Sequence, residues 1–179
     1  MTLGMSLSTF TLLHVIISLA GLGSGFIVVF GLLNGKRLDG WTAIFLTSTV
    51  LTSLTGFLFP FEGLKPSYIV GGISLVVLAI AIWARYGVRL AGAWRGTYVV
   101  TAAIALYLNC FVAVVQAFMK IPALHALAPT QTTEPPFLVA QCAVLAIFVW
   151  LLRKKTPLAV DWQSGSGKSQ TSYWPALAT

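Results

Sequence analysis

Five hydrophobic stretches fill most of this chain, and nearly all of its charge is confined to the short connections between them. No other feature restricts the fold so strongly. A hydrocarbon core of about 30 Å is crossed by about 20 apolar helical residues, and segments of that length are too apolar for routine exposure to water. The stretches run from Thr11 to Leu33, Trp41 to Phe61, Ser67 to Val88, Thr97 to Met119 and Pro136 to Leu152. They predict an all-α integral membrane protein, a five-transmembrane-helix bundle over residues 1–155, followed by a flexible cytoplasmic tail over 156–179. Composition agrees: 58% of the 179 residues are hydrophobic, 8% are charged, and mean hydropathy is +0.89, outside the range of soluble domains.

A net charge of +7 and a pI near 9.8 would suggest a nucleic-acid partner for a soluble protein. Here the cations lie at the ends of hydrophobic stretches, so no nucleic acid is expected. Lys36 and Arg37 follow the first stretch, Arg85, Arg89 and Arg95 surround the turn between the third and fourth, and Arg153, Lys154, Lys155 and Lys168 follow the fifth. Nine of the eleven cations thus fall on one side, with Lys65 and Lys120 opposite. The positive-inside rule then predicts an outside N-terminus and a cytoplasmic C-terminus. Trp41, Trp83, Tyr86, Trp94, Tyr98 and Trp150 gather near the same ends, as an interfacial aromatic belt would. Residues Met1 to Phe10 contain no Lys or Arg, and no small-residue cleavage site precedes the next loop. The first stretch is therefore expected to remain as a helix rather than be removed as a signal peptide.

Inside the stretches, polar residues are few. Ser18, Gly21, Gly25, Gly31 and Gly35 recur at helical spacing and predict close helix approach. The second stretch has two hydroxyl stripes, Ser48, Thr52 and Thr55 with Gly56, and Thr42, Thr49 and Ser53, whose hydroxyls can bond to their own helix carbonyls. In the fourth, Asn109, Gln116 and Lys120 share one face. At about 1.5 Å per residue, Gln116 lies roughly 6 Å below Lys120, and Asn109 roughly 16 Å below it. His14 and Gln141 fall at a shallow depth similar to that of Gln116. The longest loop adds His125, Gln131 and Glu134 above this layer, with Glu62 and Lys65 from the other outer loop and a short interfacial helix expected over Ile121 to Ala128.

Two readings of this outer layer are open. In one, His14, Asn109, Gln116, Gln141, His125 and Glu134 line an outward-facing pocket for a small molecule, lipid, haem, quinone or metal. In the other, they are hydrogen-bonding glue between helices. The chain has only two histidines, His14 and His125, enough for one haem at most and without a second pair for a transmembrane electron path. A metal site from His14, His125, Glu62 and Glu134 has no recognisable ligand spacing. Cys110 and Cys142 differ in depth by roughly 5 Å, which disfavours a thiol pair. All four acids, Asp39, Glu62, Glu134 and Asp161, lie outside the stretches, against ordinary ion-coupled transport. No inverted repeat relates the stretches. The run Ser164 to Ser169 resembles the end of a phosphate-binding loop, but Trp162 stands where glycine is needed, and neither the strand nor the helix of that motif flanks it.

The runs TGFLFP at 55–60, ARY at 84–86 and LYLNCFVAVVQAF at 106–118 resemble those of small bacterial multi-span inner-membrane proteins with no established activity. That resemblance implies a multi-pass protein of the bacterial inner membrane and nothing about chemistry. A similarity to haem-binding four-helix membrane cytochromes rests on helix count and His14, without their paired histidines. The expectation is a non-enzymatic binding, structural or accessory protein. Its partners are the lipid bilayer together with a membrane-protein partner or further copies of itself. The alternatives are a redox protein holding haem or quinone near His14, and a small transporter dependent on Asn109 or Gln116.

Overall fold

The computed structural model describes residues 6–59, 66–130 and 134–153. Glu62, Lys65, Gln131 and the tail, with its Gly/Ser run, lie outside the described residues. Among the described residues all regular structure is helical: α1 (Leu7–Leu33), α2 (Asp39–Gly56), α3 (Pro66–Ile82) continued by a π-turn (Trp83–Gly87), α4 (Trp94–Lys120), the short α5 (Pro122–Leu127) and α6 (Pro135–Arg153).

Local chemistry sets these boundaries. The Ser6 hydroxyl caps α1 by accepting from the Thr9 amide at 3.2 Å. At its other end Gly35 takes a left-handed φ of +69°, and Gly35 and Lys36 donate back to the Leu32 and Gly31 carbonyls. The second helix stops at Gly56, five residues short of the expected Phe61, where Phe57 and Leu58 turn back onto the Leu54 and Thr55 carbonyls. The third gives way to π-geometry at Trp83, and Arg85, near the end of the expected third span, lies in this helical segment and is buried.

Four segments are long and apolar enough to cross a bilayer: α1, Tyr68–Gly87, α4 and α6. This is a multi-pass membrane protein. Large apolar side chains such as Leu12, Leu19, Val76, Val139 and Ile147 are exposed along these segments, as contact with lipid requires and water would penalise. The remaining expected span, Trp41 to Phe61, corresponds to α2, whose 18 residues include seven Ser and Thr, and these lower its apolarity.

The hydroxyls of α2 explain its position. It runs antiparallel to α1, with Ser18 hydrogen-bonded to Thr52, Gly21 against Ser48 and Thr49, and Gly25 against Phe45. On its other flank Ser53 meets Ser74 of α3 at 3.3 Å. The third face meets α4, where Asn109 donates to Thr49 at 3.1 Å. The α1–α2 and α3–α4 hairpins pack into one bundle around Val28, Phe45, Leu78, Ala102 and Leu106, and α6 docks on the outer side of α4. A smaller cluster, with Phe118 and Phe137 edge to face at 5.5 Å over Ala128, fastens α5 and its loop.

Gly25 is a close approach of α1 to both α2 and α4, since a Cβ there would sit 2.6 Å from Leu106 and 2.8 Å from Phe45, whereas at Gly23 it meets nothing within 4 Å. Gly25→Leu is expected to destabilise the bundle by about 1–3 kcal/mol through overpacking. Gly23→Ala should be neutral or mildly stabilising. Thermal unfolding of the two variants in detergent measures the difference, and equal melting temperatures would contradict this packing.

Candidate functional site

Of the six candidate polar residues, four have separate partners among the described residues. His14 Nδ1 lies 2.7 Å from the Thr55 hydroxyl, which itself donates to the Leu51 carbonyl, so Nδ1–H is the donor between them. Its ring also packs edge-on against Phe59 at 5.2 Å. Asn109 is held by Thr49 on the α2–α4 seam. Gln141 is buried on the α4–α6 seam, where its Nε2 donates to the Phe111 carbonyl at 3.2 Å while Oε1 has no partner. Gln116 and His125 are exposed. Glu134 Oε1 accepts from the amide and hydroxyl of Thr130, closing the loop before α6. His14, Asn109 and Gln141 thus each bind a different helix seam rather than one another. Cys110 and Cys142 are free thiols on α4 and α6. Among the described residues, no three His, Cys, Asp or Glu side chains gather to hold a metal ion.

A denser constellation occupies the other end. Arg37, Arg85, Arg89 and Arg95, with Tyr98, line a cavity of about 160 Å³ between the α1–α2 connection, the end of α3 and the first turns of α4. Arg85 is only 5% exposed. Its Nη2 donates to Asp39 Oδ1, and Arg37 Nε lies 3.9 Å from the same oxygen. The Arg85 guanidinium stands over the rings of Tyr98 and Tyr86 at 5.3 and 5.7 Å, a cation–π arrangement that strengthens as water is excluded. Tyr98, expected in the interfacial belt, is instead a core residue beneath this guanidinium, because its ring is the apolar floor that burying Arg85 demands. Its hydroxyl is buried and, among the described residues, makes no hydrogen bond of good geometry.

The backbone holding these arginines is unusual. The π-turn is a form often found where a helix serves a site. It closes with the Leu90 amide donating to the Ala84 carbonyl at 2.9 Å, and Arg95 Nε donates to the Leu90 carbonyl at 3.1 Å. Arg89 and Leu90 adopt φ of +51° and +59°, where α1 uses Gly35 in the equivalent stop. Left-handed geometry costs a non-glycine residue about 1–2 kcal/mol. At α4, Ala93 supplies no capping side chain and the first turn has no acid, so the positive end of that helix dipole is uncompensated next to the cavity.

Sequence reasoning used these arginines only to orient the chain. The missed signals were Arg85 inside an apolar run and Asp39 as the lone acid beside Lys36 and Arg37. No protein-family model, curated protein or solved structure matches the chain.

Asp39→Asn removes the carboxylate of a buried guanidinium and is expected to lower stability by about 1–3 kcal/mol. Adding Arg85→Met should restore part of that loss, because the unpaired charge goes with it. A double-mutant cycle by thermal unfolding reads the coupling, and strictly additive effects would show that the pair contributes nothing.

Proposed function

We propose that the chain is a five-span protein of the inner, cytoplasmic membrane with its N-terminus outside, acting as a non-enzymatic binding or accessory subunit that holds an anion at its cytoplasmic end. The observation that carries the binding role is the convergence of four arginines on one cavity, where among the described residues Asp39 pairs with Arg85 and lies near Arg37. Guanidinium groups are suited to bidentate recognition of phosphate-like or carboxylate groups. The strain at Arg89 supports the same reading, since glycine would close that turn at lower cost and would forfeit the charge. Of the outer candidates, His14, Asn109 and Gln141 each bond to a different neighbouring helix rather than converging on one space.

Support for α2 as a fifth span is its position between α1 and α3, antiparallel to both, at about 27 Å of helix length. It turns Trp41, Ile44, Leu51 and Leu54 outward and its hydroxyls mostly inward. The N-outside orientation draws on Lys36, Arg37, Arg85, Arg89, Arg95 and Arg153 at one end of the bundle.

The topology is tested with Lys36→Cys and Ala91→Cys in a chain whose two native cysteines are replaced by serine. Both new thiols are expected to react with a membrane-impermeant maleimide only after permeabilisation. Labelling of the two from opposite faces would mean that α2 does not cross.

For the site, the melting temperature of the purified protein in neutral detergent should rise with inorganic phosphate relative to chloride at equal ionic strength, as binding to the folded state requires. Arg89→Gly with Arg95→Gln should abolish that rise. Arg89→Gly alone should also raise the ligand-free stability by about 1 kcal/mol as strain is relieved. An equal response to phosphate and chloride would remove the anion reading.

A further inference from the structure

Beside the arginine-lined cavity lies a second hollow of about 90 Å³, and the two share Leu32 and Val99 as common wall. The rest of the second hollow is aliphatic, with Leu33, Val100, Ala103 and Leu151 contributed by α1, α4 and α6, together with the bare backbone of Gly96. A site that is cationic at the bundle end and apolar immediately beside it matches an amphiphile. We infer that the two hollows form one composite site for an anionic phospholipid, with the phosphate among Arg37, Arg85, Arg89 and Arg95 and the start of an acyl chain along the α1–α4–α6 groove.

The inference rests on the anion reading above and adds the identity of the ligand. Three observations favour a lipid over a free phosphate. First, the cavity sits at the end of membrane-crossing helices, where headgroups lie and where basic pockets between such helices attract anionic lipids. Second, the apolar hollow adjoins it through the shared residues, and a water-soluble anion would leave that surface unused. Third, Gly96 lines the aliphatic hollow, is exposed, and has open space for 4 Å around a Cβ built on it, so the groove beside Arg95 can be entered from the bilayer. Asp39, largely exposed on its own account, holds the buried Arg85 in place. Arg89 and Arg95 bring further charge to the same cavity, with Arg95 aimed by its bond to the Leu90 carbonyl.

The test uses the full chain in nanodiscs of phosphatidylcholine doped with phosphatidylglycerol, with the lipids retained on release read by native mass spectrometry. A parallel titration follows inorganic phosphate in detergent. Gly96→Leu fills the groove without touching an arginine, and unchanged circular dichroism and melting temperature establish that it folds. Wild type is expected to retain phosphatidylglycerol over phosphatidylcholine, and Gly96→Leu to lower that retention about tenfold, from the loss of a few buried methylenes, while phosphate binding stays the same. Arg89→Gly with Arg95→Gln should weaken both ligands. If phosphatidylglycerol is retained no better than phosphatidylcholine, or Gly96→Leu changes nothing while phosphate still binds, the lipid assignment is overturned and the anion site stands. If neither ligand responds to the arginine changes, both fall together.

Discussion

The arrangement of this bundle depends on where α2 puts its hydroxyl groups. A helix with seven Ser and Thr side chains is costly in hydrocarbon unless those groups are satisfied by its own carbonyls or by neighbours. Ser48 and Thr55 bond to carbonyls one turn back. Thr49, Thr52, Ser53 and Thr55 also reach Asn109, Ser18, Ser74 and His14 on three different helices. Those contacts fix α1, α3 and α4 around α2, and glycines 21 and 25 of α1 allow the approach. His14, Asn109 and Gln141, three of the polar residues that suggest a pocket on paper, are consumed in building the bundle.

At the other end the chain makes the opposite use of polarity. Four arginines are drawn together around one cavity, and one of them, Arg89, stands with Leu90 in left-handed geometry. Clustered like charge and backbone strain each cost stability, and their coincidence is the usual mark of a place retained for binding. An anionic lipid relieves the repulsion and covers the adjoining apolar groove. In that reading the ligand belongs to the folded state as much as the helices do.

Much of the architecture was legible in the sequence. Hydrophobic length alone located α1, α4 and α6 to within a few residues, because a bilayer imposes one dimension on any helix that crosses it. The end of α2 was less legible, since Phe57 to Phe59 continue the apolar run after the helix has stopped at Gly56. The six outer residues were recognisable as buried polar candidates, yet their partners were not. Whether His14 faces Gln141 or Thr55 depends on helix rotation and neighbour order, and hydropathy carries neither. Tyr98 and Arg85 were legible only as helix-end residues, one for an aromatic belt and one for the charge bias, and packing made them a stacked pair inside the core.

By itself, the sequence determined that this protein lives in a membrane, how long its crossing segments are and which ends carry the positive charge. Those properties are sums over local composition, which transfer from water to lipid measures directly. Only the tertiary structure decided which polar groups satisfy one another and which remain available. Arg37 comes from the α1–α2 connection and Arg85, Arg89 and Arg95 from the segment that joins α3 to the start of α4, and their convergence on one cavity beside Tyr98 exists only once the helices are packed.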